Sequence, residues 1–382
     1  MKKIFGFLSE YWRTTDKWML FLWLTASAAS VLFLFGIYSS GLMSEDGRIV
    51  RMQIAASAGG LAAAVLLSLF DYRAILKWWK IYLPACVALV LLTYFYGIVR
   101  GGDRAWLPVS LGGLSFTIQP SEFLKIAMLM TITLHINHVK EHMNRVLSMA
   151  LLCLHGVAYV LLIQVVQGDS GTALVFLFMF ITMMFFAGIA WRYILLALLM
   201  IIPGAVVLWM KVMTPYQQLR FLALYSDSLD PKIYEQYIYQ QQRGLFALGV
   251  GGIQGTGVFS GKHIDVPEIY NDFIFAFIGQ STGLIGCLGV MLVLLIICMK
   301  LLYNSSTAIN DTGRLICIGM FGMITAQTII NLGMVLKLMP VIGVTLPLFS
   351  SGGSSVFTLY VGLGLVLSVY RHSGKGLFYS EP

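Results

Sequence analysis

Charged residues are scarce in this 382-residue chain: they make up 11% of it, against 58% for hydrophobic residues, and the mean hydropathy is +0.83. Soluble domains average about 25% charged residues, so the chain lacks the polar surface that a soluble protein presents to water. In place of charge it has repeated apolar runs, each close to the roughly 20 residues that a helix needs to cross a bilayer. The runs are continuous and do not alternate with polar residues, which excludes a membrane β-barrel.

Cysteine and histidine are also sparse, with five and six residues. The histidines show no metal-ligand spacing, and the chain has no P-loop, dinucleotide-binding fingerprint or Ser/His/Asp arrangement. The sequence therefore requires no cofactor, although it is compatible with a bound divalent cation. All five cysteines lie in apolar runs, so we expect free thiols that pack as small hydrophobic groups. They are Cys86, Cys153, Cys287, Cys298 and Cys317.

The apolar runs predict an all-α polytopic membrane protein with about ten transmembrane helices, forming a single domain over residues 1–382. The first run begins at Trp18 and is too long for a secretory signal, so we expect no cleavable signal peptide. The runs lie near residues 18–38, 53–70, 81–98, 121–138, 148–166, 171–188, 193–212, 272–300, 314–337 and 352–371.

Lysine and arginine concentrate in alternate connecting segments, such as the one with Arg73, Lys77 and Lys80. Cytoplasmic loops are enriched in these residues, so we expect both termini to be cytoplasmic and the membrane to be the inner one. Residues 1–17 are expected to form a cytoplasmic or interfacial segment. The net charge of +8 then reflects orientation in the membrane and not a nucleic-acid-binding surface.

The same orientation makes three segments external: 99–120, 213–271 and 338–351. Of these, 213–271 is the one long loop, and long loops in compact proteins are commonly functional or disordered. Its aromatic and glutamine residues favour an ordered structure at the membrane surface.

Charged side chains at the edges of spans are functional candidates, because each costs about 2.5–3.5 kcal/mol on insertion scales. Glu122 and Lys125 are one turn apart at the start of the fourth run, which places them on one helix face where they can pair. Two interpretations remain open at this point: a structural ion pair, or side chains that line a substrate groove.

Two aspartates open apolar runs on the external side. Asp169 is a candidate N-cap, with Ser170 as the alternative, or else a polar contact to substrate. Asp272 follows Asn271, a good N-cap, so we expect Asp272 to be the first helical residue and the helix N-terminus to favour its ionised form. It is either an acid that compensates the helix dipole or a carboxylate that faces a cavity, free to accept a proton or bind a metal ion.

The stretch 347–355 combines a proline, two glycines and several serines, including Ser354, before the last apolar run. This pattern is similar to an anion-binding turn at a helix N-terminus. Cationic residues add to the positive charge of the external face, which suits a diphosphate. They are Arg100, Arg104, Arg220, Arg243 and Lys262.

Four blocks of sequence occur in one order along nearly the whole chain. They run from Trp106 to Lys125, from Gln167 to Ala173, from Pro215 to Gly279 and from Gln327 to Ser355. In these blocks the chain resembles the SEDS family (RodA, FtsW and SpoVE), ten-span membrane glycosyltransferases that polymerise peptidoglycan.

The resemblance implies that the chain joins lipid II, an undecaprenyl-diphosphate-linked disaccharide-pentapeptide, into glycan strands at the outer face of the membrane, in elongation, division or sporulation. It implies that Asp272 is the catalytic residue and that a class B penicillin-binding protein is the partner. The expected substrate-binding residues are Trp106, Glu122, Lys125, Asp169, Arg220, Lys262 and Ser354. The alternatives are a lipid II flippase and a non-catalytic scaffold of the growth or division machinery.

Several positions depart from the family pattern, and they leave the subgroup, the partner and the catalytic strength open. They are Ala105, Tyr270, Asn271, Gln280, Ser281, Lys337 and Ser351.

Overall fold

The computed structural model describes residues 10–43, 47–111, 114–225, 231–260 and 262–373. Each of the ten predicted apolar runs corresponds to a helix, and in the described residues three further α-helices lie between them. The helices are α1 (Lys17–Ser39), α2 (Arg48–Leu69), α3 (Tyr72–Leu76), α4 (Trp79–Tyr96), α5 (Pro120–Val139), α6 (Val146–Gln167), α7 (Ser170–Ala187), α8 (Trp191–Val207), α9 (Pro215–Tyr225), α10 (Pro231–Gly251), α11 (Ile274–Ser306), α12 (Asp311–Val335) and α13 (Gly353–Arg371).

Within the described ranges, nine helices are long and apolar enough to cross a membrane: α1, α2, α4, α6, α7, α8, α11, α12 and α13. The one predicted run that is not among these nine is the fourth, which forms α5. This helix of 20 residues carries Glu122 and Lys125 in its first two turns. The predicted helical, multi-pass membrane architecture is confirmed. The five cysteines are free, as expected, although Cys153 is exposed and therefore does not pack as a core residue.

The centre of the bundle is formed by α5, α12 and α13, most of whose residues are buried. The helix α13 packs along α2 because small residues let the two backbones approach. A Cβ atom added at Gly60 would lie 2.8 Å from Tyr360, and one added at Gly364 would lie 2.8 Å from the backbone of Ala64. Small residues at helix interfaces commonly have this role in membranes, where burial of apolar surface gives little driving force between helices.

The predicted external segment 99–120 contains a small sheet that the expectation of an all-α fold did not include. Its strands β1 (Ile98–Arg100), β2 (Asp103–Leu111) and β3 (Leu114–Ile118) are antiparallel and pair in the order β1-β2-β3. Gly101 and Gly102, at φ +60° and +99°, form the turn between β1 and β2. Two-residue hairpin turns favour positive φ, and glycine adopts it without steric cost.

The long segment 213–271 is ordered where the structure describes it, as predicted, with α9 and α10 inside it; residues 226–230 and 261 lie outside the described residues. After α10 the chain packs against a kink in α11 at Gly283, which has φ +68°. There the backbone N–H of Leu284 donates to Gly252 O, and that of Thr256 donates to Gln280 O. The kink holds the stretch that leads to Asp272 against the bundle.

At the other end of the bundle, Asp16 caps α1 through its side chain and pairs with Lys300 of α11 at 3.0 Å. Of the predicted N-terminal segment 1–17, residues 1–9 lie outside the described residues. The predicted cytoplasmic location of both termini stays a prediction.

Candidate functional site

A cavity of about 990 Å³ opens at one end of the bundle, under the small sheet. Residues from the first turns of four helices, α2, α5, α7 and α13, line it. The N–H groups and dipoles at these helix N-termini place partial positive charge at the cavity. Six of the eight predicted site residues line this cavity together: Trp106, Glu122, Lys125, Asp169, Arg220 and Asp272.

Asp272 lies in the turn that leads into α11. Asn271 N–H and Phe273 N–H both donate to Glu268 O, and Glu268 itself has φ +55°. The helix begins at Ile274, so the prediction that Asp272 is the first helical residue, capped by Asn271, is wrong. The helix starts later than predicted because the N–H groups of Asn271 and Phe273 already donate to Glu268 O in the preceding turn.

The carboxyl of Asp272 is buried, at 8% exposure, and its Oδ1 atom has no hydrogen-bond partner among the described residues. Its pKa is raised to about 7, mainly by burial; the charges of Glu268 and Asp169 contribute to the rise, and Arg220 opposes it. The expectation that a helix N-terminus favours the ionised form is therefore wrong here, because desolvation outweighs the dipole and Asp272 precedes the helix. A carboxyl with a near-neutral pKa is a better general base than one with an ordinary, lower pKa.

Glu122 and Lys125 form the predicted ion pair, with 2.8 Å between Lys125 Nζ and Glu122 Oε1, and both side chains are almost fully buried. Their first-turn position on α5 also brings both to the cavity wall. The two interpretations of this pair are thus compatible in one structure: the charges neutralise each other and still face the cavity.

Asp169 is the N-cap of α7, as predicted. Its Oδ1 accepts from Thr172 N–H at 2.8 Å, and its Oδ2 accepts from Thr172 Oγ1 at 2.7 Å and from Gln119 Nε2 at 3.1 Å. Burial raises its pKa, and the hydrogen bonds from Thr172 oppose that rise. The carboxyl therefore joins the N-terminal ends of α5 and α7 while it lines the cavity.

Arg220 projects from α9, and its Nη1 donates to Val341 O at 2.9 Å, which joins α9 to the predicted external segment 338–351. On the sheet, the guanidinium of Arg100 lies over the ring of Trp106, 5.6 Å from its centroid. A cation thus already covers one face of the Trp106 ring.

The structure does not bring Lys262 and Ser354 to the cavity surface with the other six. Lys262 is exposed on the segment between α10 and α11. Ser354 is buried behind the wall, where its Oγ accepts from Gln119 N–H at 3.1 Å. Its neighbours Ser351, Gly352 and Gly353 do line the cavity, and no side chain of the described ranges caps the helix that starts there. Substrate contacts by Lys262 and Ser354 stay predictions.

Sequence reasoning missed several residues of the cavity and its support. Arg48 at the start of α2, Asp103 at the start of β2 and Glu268 before α11 all line the cavity. Asp103 had a local signal, the Gly-Gly turn directly before it. Glu268 lies in the block from Pro215 to Gly279 that carries the family resemblance, but nothing in the sequence placed it or Arg48 at the cavity, because only the tertiary fold brings them there.

The fold and the cavity define a multi-pass membrane protein with carboxylates, cations and helix N-termini at one end. The family model for cell cycle proteins of the FtsW, RodA and SpoVE type matches residues 14–375. Peptidoglycan glycosyltransferase MrdB of Escherichia coli K12 is 29% identical over 365 residues, covering 94% of both chains.

Solved structures show the same fold. A chain of a peptidoglycan synthase complex, described as coordinating polymerization and crosslinking, superimposes with a TM-score of 0.75 at 29% identity, covering 94% of this chain and 99% of that one. Rod shape determining protein RodA of Thermus thermophilus gives 0.65 at 28% identity, covering 94% and 97%.

The chain belongs to the FtsW, RodA and SpoVE family. Its similarity to named peptidoglycan glycosyltransferases over nearly the whole length confirms the predicted enzyme class, peptidoglycan glycosyltransferase.

Proposed function

We propose that this protein polymerises lipid II into glycan strands at the outer face of the cytoplasmic membrane, in cell elongation, division or sporulation, with Asp272 as the catalytic base. The observation that carries the proposal is the environment of Asp272. Its carboxyl is buried in the wall of a large cavity, its Oδ1 has no hydrogen-bond partner in the part of the chain that the structure describes, and its pKa is raised to about 7. A base in such a site is matched to chemistry at neutral pH.

In the proposed reaction, the 4-hydroxyl of the acceptor GlcNAc attacks C1 of the donor glycan chain. The new C1–O bond forms as the bond from C1 to the diphosphate oxygen breaks, and undecaprenyl diphosphate leaves. Asp272 orients the hydroxyl and accepts its proton, a contribution typically worth about 10²–10⁴-fold in rate.

The leaving diphosphate carries the negative charge that grows during this step. Lys125 and Arg220 line the cavity, as do residues of the first turns of α2, α5, α7 and α13. Preorganised cations and helix N-termini stabilise developing anionic charge in sites of this kind. We therefore place the diphosphate toward these groups and the acceptor sugar toward Asp272.

The proposed reaction does not require a divalent cation, but the site is compatible with one. Within the described ranges, no three His, Cys, Asp or Glu side chains are grouped as a metal site. The carboxylate of Asp272 would thus need diphosphate oxygens of the substrate to complete an oxygen ligand set, which suits Mg²⁺. Such an ion would supply charge neutralisation, and the proton transfer to Asp272 does not depend on it.

The proposed partner is a class B penicillin-binding protein. The support is the similarity to a chain of a peptidoglycan synthase complex that couples polymerization with crosslinking. Co-purification of this chain with such a protein from membranes, and loss of that association in competition with an excess of untagged chain, would test this point.

The activity test uses purified protein and labelled lipid II, with Asp272→Ala and Asp272→Asn as variants. We expect glycan strands from the unmodified protein and a loss of at least about 100-fold in both variants. Asp265→Asn is the matched control, because Asp265 is an exposed aspartate seven positions before Asp272 and does not line the cavity. Lipid II crossing vesicles without polymer would favour the flippase, and partner binding without either activity would favour the scaffold.

The proposed orientation has a separate test. Exposed residues at the two ends of the bundle are Asp265, near the cavity, and Glu141, in the short helix Lys140–His142. In a cysteine-free background, Asp265→Cys should react in intact cells with a membrane-impermeant thiol reagent, whereas Glu141→Cys should react only after lysis. The reverse pattern would overturn the outward-facing site.

A further inference from the structure

The tight turn between β1 and β2 brings a carboxyl to the cavity that the proposed reaction does not use. Arg100 and Asp103 are paired across the Gly101-Gly102 turn, and both line the cavity. Because the two-residue turn fixes the register of the hairpin, Asp103 is held at the cavity wall by the backbone and not by side-chain contacts.

Asp103 differs from its neighbours in what its carboxyl contacts. Glu122 is paired with Lys125, and Asp169 accepts three hydrogen bonds. In the part of the chain that the structure describes, none of the ion pairs and none of the side-chain hydrogen bonds involves the carboxyl of Asp103. The two cations closest along the hairpin contact other groups: Arg100 lies over the Trp106 ring, and Arg104 Nη1 donates to Tyr94 O.

A half-buried carboxyl without protein partners is costly unless something else satisfies it. The pKa of Asp103 is raised to about 8, mainly by burial; the charges of Asp169 and Asp272 contribute to the rise, and Arg220 opposes it. Near neutral pH this carboxyl is therefore mostly protonated, so it can both donate and accept hydrogen bonds and does not repel a nearby anion.

We propose that Asp103 is a substrate-binding residue that hydrogen-bonds to hydroxyl or acetamido groups of the lipid-linked amino sugar; this inference rests on the proposed function. Sugar hydroxyls and amides both donate and accept, which matches a carboxyl that has no protein partner. The diphosphate has other groups to bind it at the helix N-termini and at Lys125. Trp106, three residues along the same strand, adds an aromatic wall beside the sugar.

The experiment compares Asp103→Ala, Asp103→Val and Asp103→Asn in the purified full-length protein with labelled lipid II. We expect KM for lipid II to rise about tenfold in the Ala and Val variants, the size of one lost hydrogen-bonding group in a buried site. We expect kcat to change less than about threefold, since Asp272 is intact. Asp103→Asn should keep KM within about threefold of the unmodified protein, because an amide also donates and accepts.

Controls separate substrate binding from folding. Asp265→Ala removes an exposed carboxyl outside the cavity and should leave KM unchanged, and thermal unfolding should show that every variant is folded. The Val variant suits a β-strand, so it remains informative where the Ala variant unfolds. The KM effect should also persist with a lipid-linked disaccharide that has no stem peptide.

An unchanged KM in both apolar variants would overturn the assignment, as would an equal loss in Asp103→Asn or an effect that disappears without the stem peptide. These outcomes differ from failure of the proposed function itself. In that case, the unmodified protein would form no glycan strands, or Asp272→Ala would form them undiminished, whatever the behaviour of Asp103.

Discussion

The side-chain amide of Asn331 holds the backbone of Asp272: Asn331 Nδ2 donates to Asp272 O at 2.8 Å and also to Val344 O at 2.8 Å. Asn331 lies on α12 and is fully buried. One side chain thus ties the turn with the proposed base to the central helix and to the segment before α13. The position of the Asp272 carboxyl in the cavity depends on these two hydrogen bonds from Asn331.

Asn331→Ala should therefore impair both stability and catalysis. Two buried carbonyls lose their donor, which should lower the free energy of unfolding by about 2–4 kcal/mol. A small displacement of the base should lower kcat by about 10²-fold. The turn should also become more hydrated, which lowers the pKa of Asp272 and moves the acid limb of the pH–rate profile to lower pH.

The measurement is the pH–rate profile of the variant together with its thermal unfolding. Asn137→Ala is the control, because Asn137 Nδ2 donates to Thr312 Oγ1 and joins α5 to α12 far along the helices from the cavity. We expect that control to lose stability without a shifted acid limb. A purely structural role of Asn331 would give the same result as the control.

Local sequence patterns predicted much of the fold and part of the site. Hydropathy located the ten helices because a span is a property of about 20 consecutive residues. The Glu122–Lys125 pair and the Asp169 cap were also predictable, since each contact forms within four residues along one helix.

What sequence reasoning could not supply depends on long-range packing. The pKa of Asp272 is governed by burial against α12 and by Glu268, Asp169 and Arg220, so the local helix-dipole argument had the wrong sign. The sheet was missed although Gly101-Gly102 is a hairpin signal, because apolar runs dominated the interpretation of that region. Arg48 reaches the cavity only through the packing of α2 on α13.

The pH dependence of polymerisation should report the ionisation of Asp272. A base must be deprotonated to act, and the pKa of this carboxyl is raised to about 7. We therefore expect kcat/KM to fall about tenfold per pH unit below about 7. A profile that stays flat down to pH 5 would contradict a base with this pKa.

Two charge-removing variants should move that acid limb in opposite directions. Glu268 raises the pKa of Asp272 and Arg220 lowers it. Glu268→Gln should therefore shift the limb to lower pH, and Arg220→Gln should shift it to higher pH. Comparison of the two profiles at one ionic strength is the test, and shifts of the same sign would show that another group controls the rate.

The Glu122–Lys125 pair gives a prediction that separates its two roles. Lys125→Met leaves the carboxylate of Glu122 buried without its partner, which should cost about 3–5 kcal/mol of stability. Adding Glu122→Gln removes that buried charge and should restore most of the stability. Polymerisation should remain low in the double variant, because no lysine faces the leaving diphosphate.

Thermal unfolding and polymerisation rates for the two single variants and the double variant form the measurement. Recovery of stability without recovery of activity is the expected pattern. If the double variant recovers both stability and activity, Glu122 and Lys125 form a structural ion pair only. The contact with the diphosphate would then have to come from other cations of the cavity.

Gly171 tests whether the close contact at the start of α7 shapes the site. A Cβ atom added there would overlap with the carbonyl oxygen of Ile342, a backbone atom that cannot rotate away. Gly171→Ala should therefore push apart α7 and the neighbouring backbone, displacing Asp169 and the Val341 carbonyl that Arg220 contacts. We expect a loss of about 1–3 kcal/mol of stability and a larger relative loss of polymerisation.

Gly289→Ala in α11 is the matched control, since an added Cβ has nothing within 4 Å there. Its stability should change by less than about 1 kcal/mol, and equal effects in the two variants would show that the contact at Gly171 has no special role in the site.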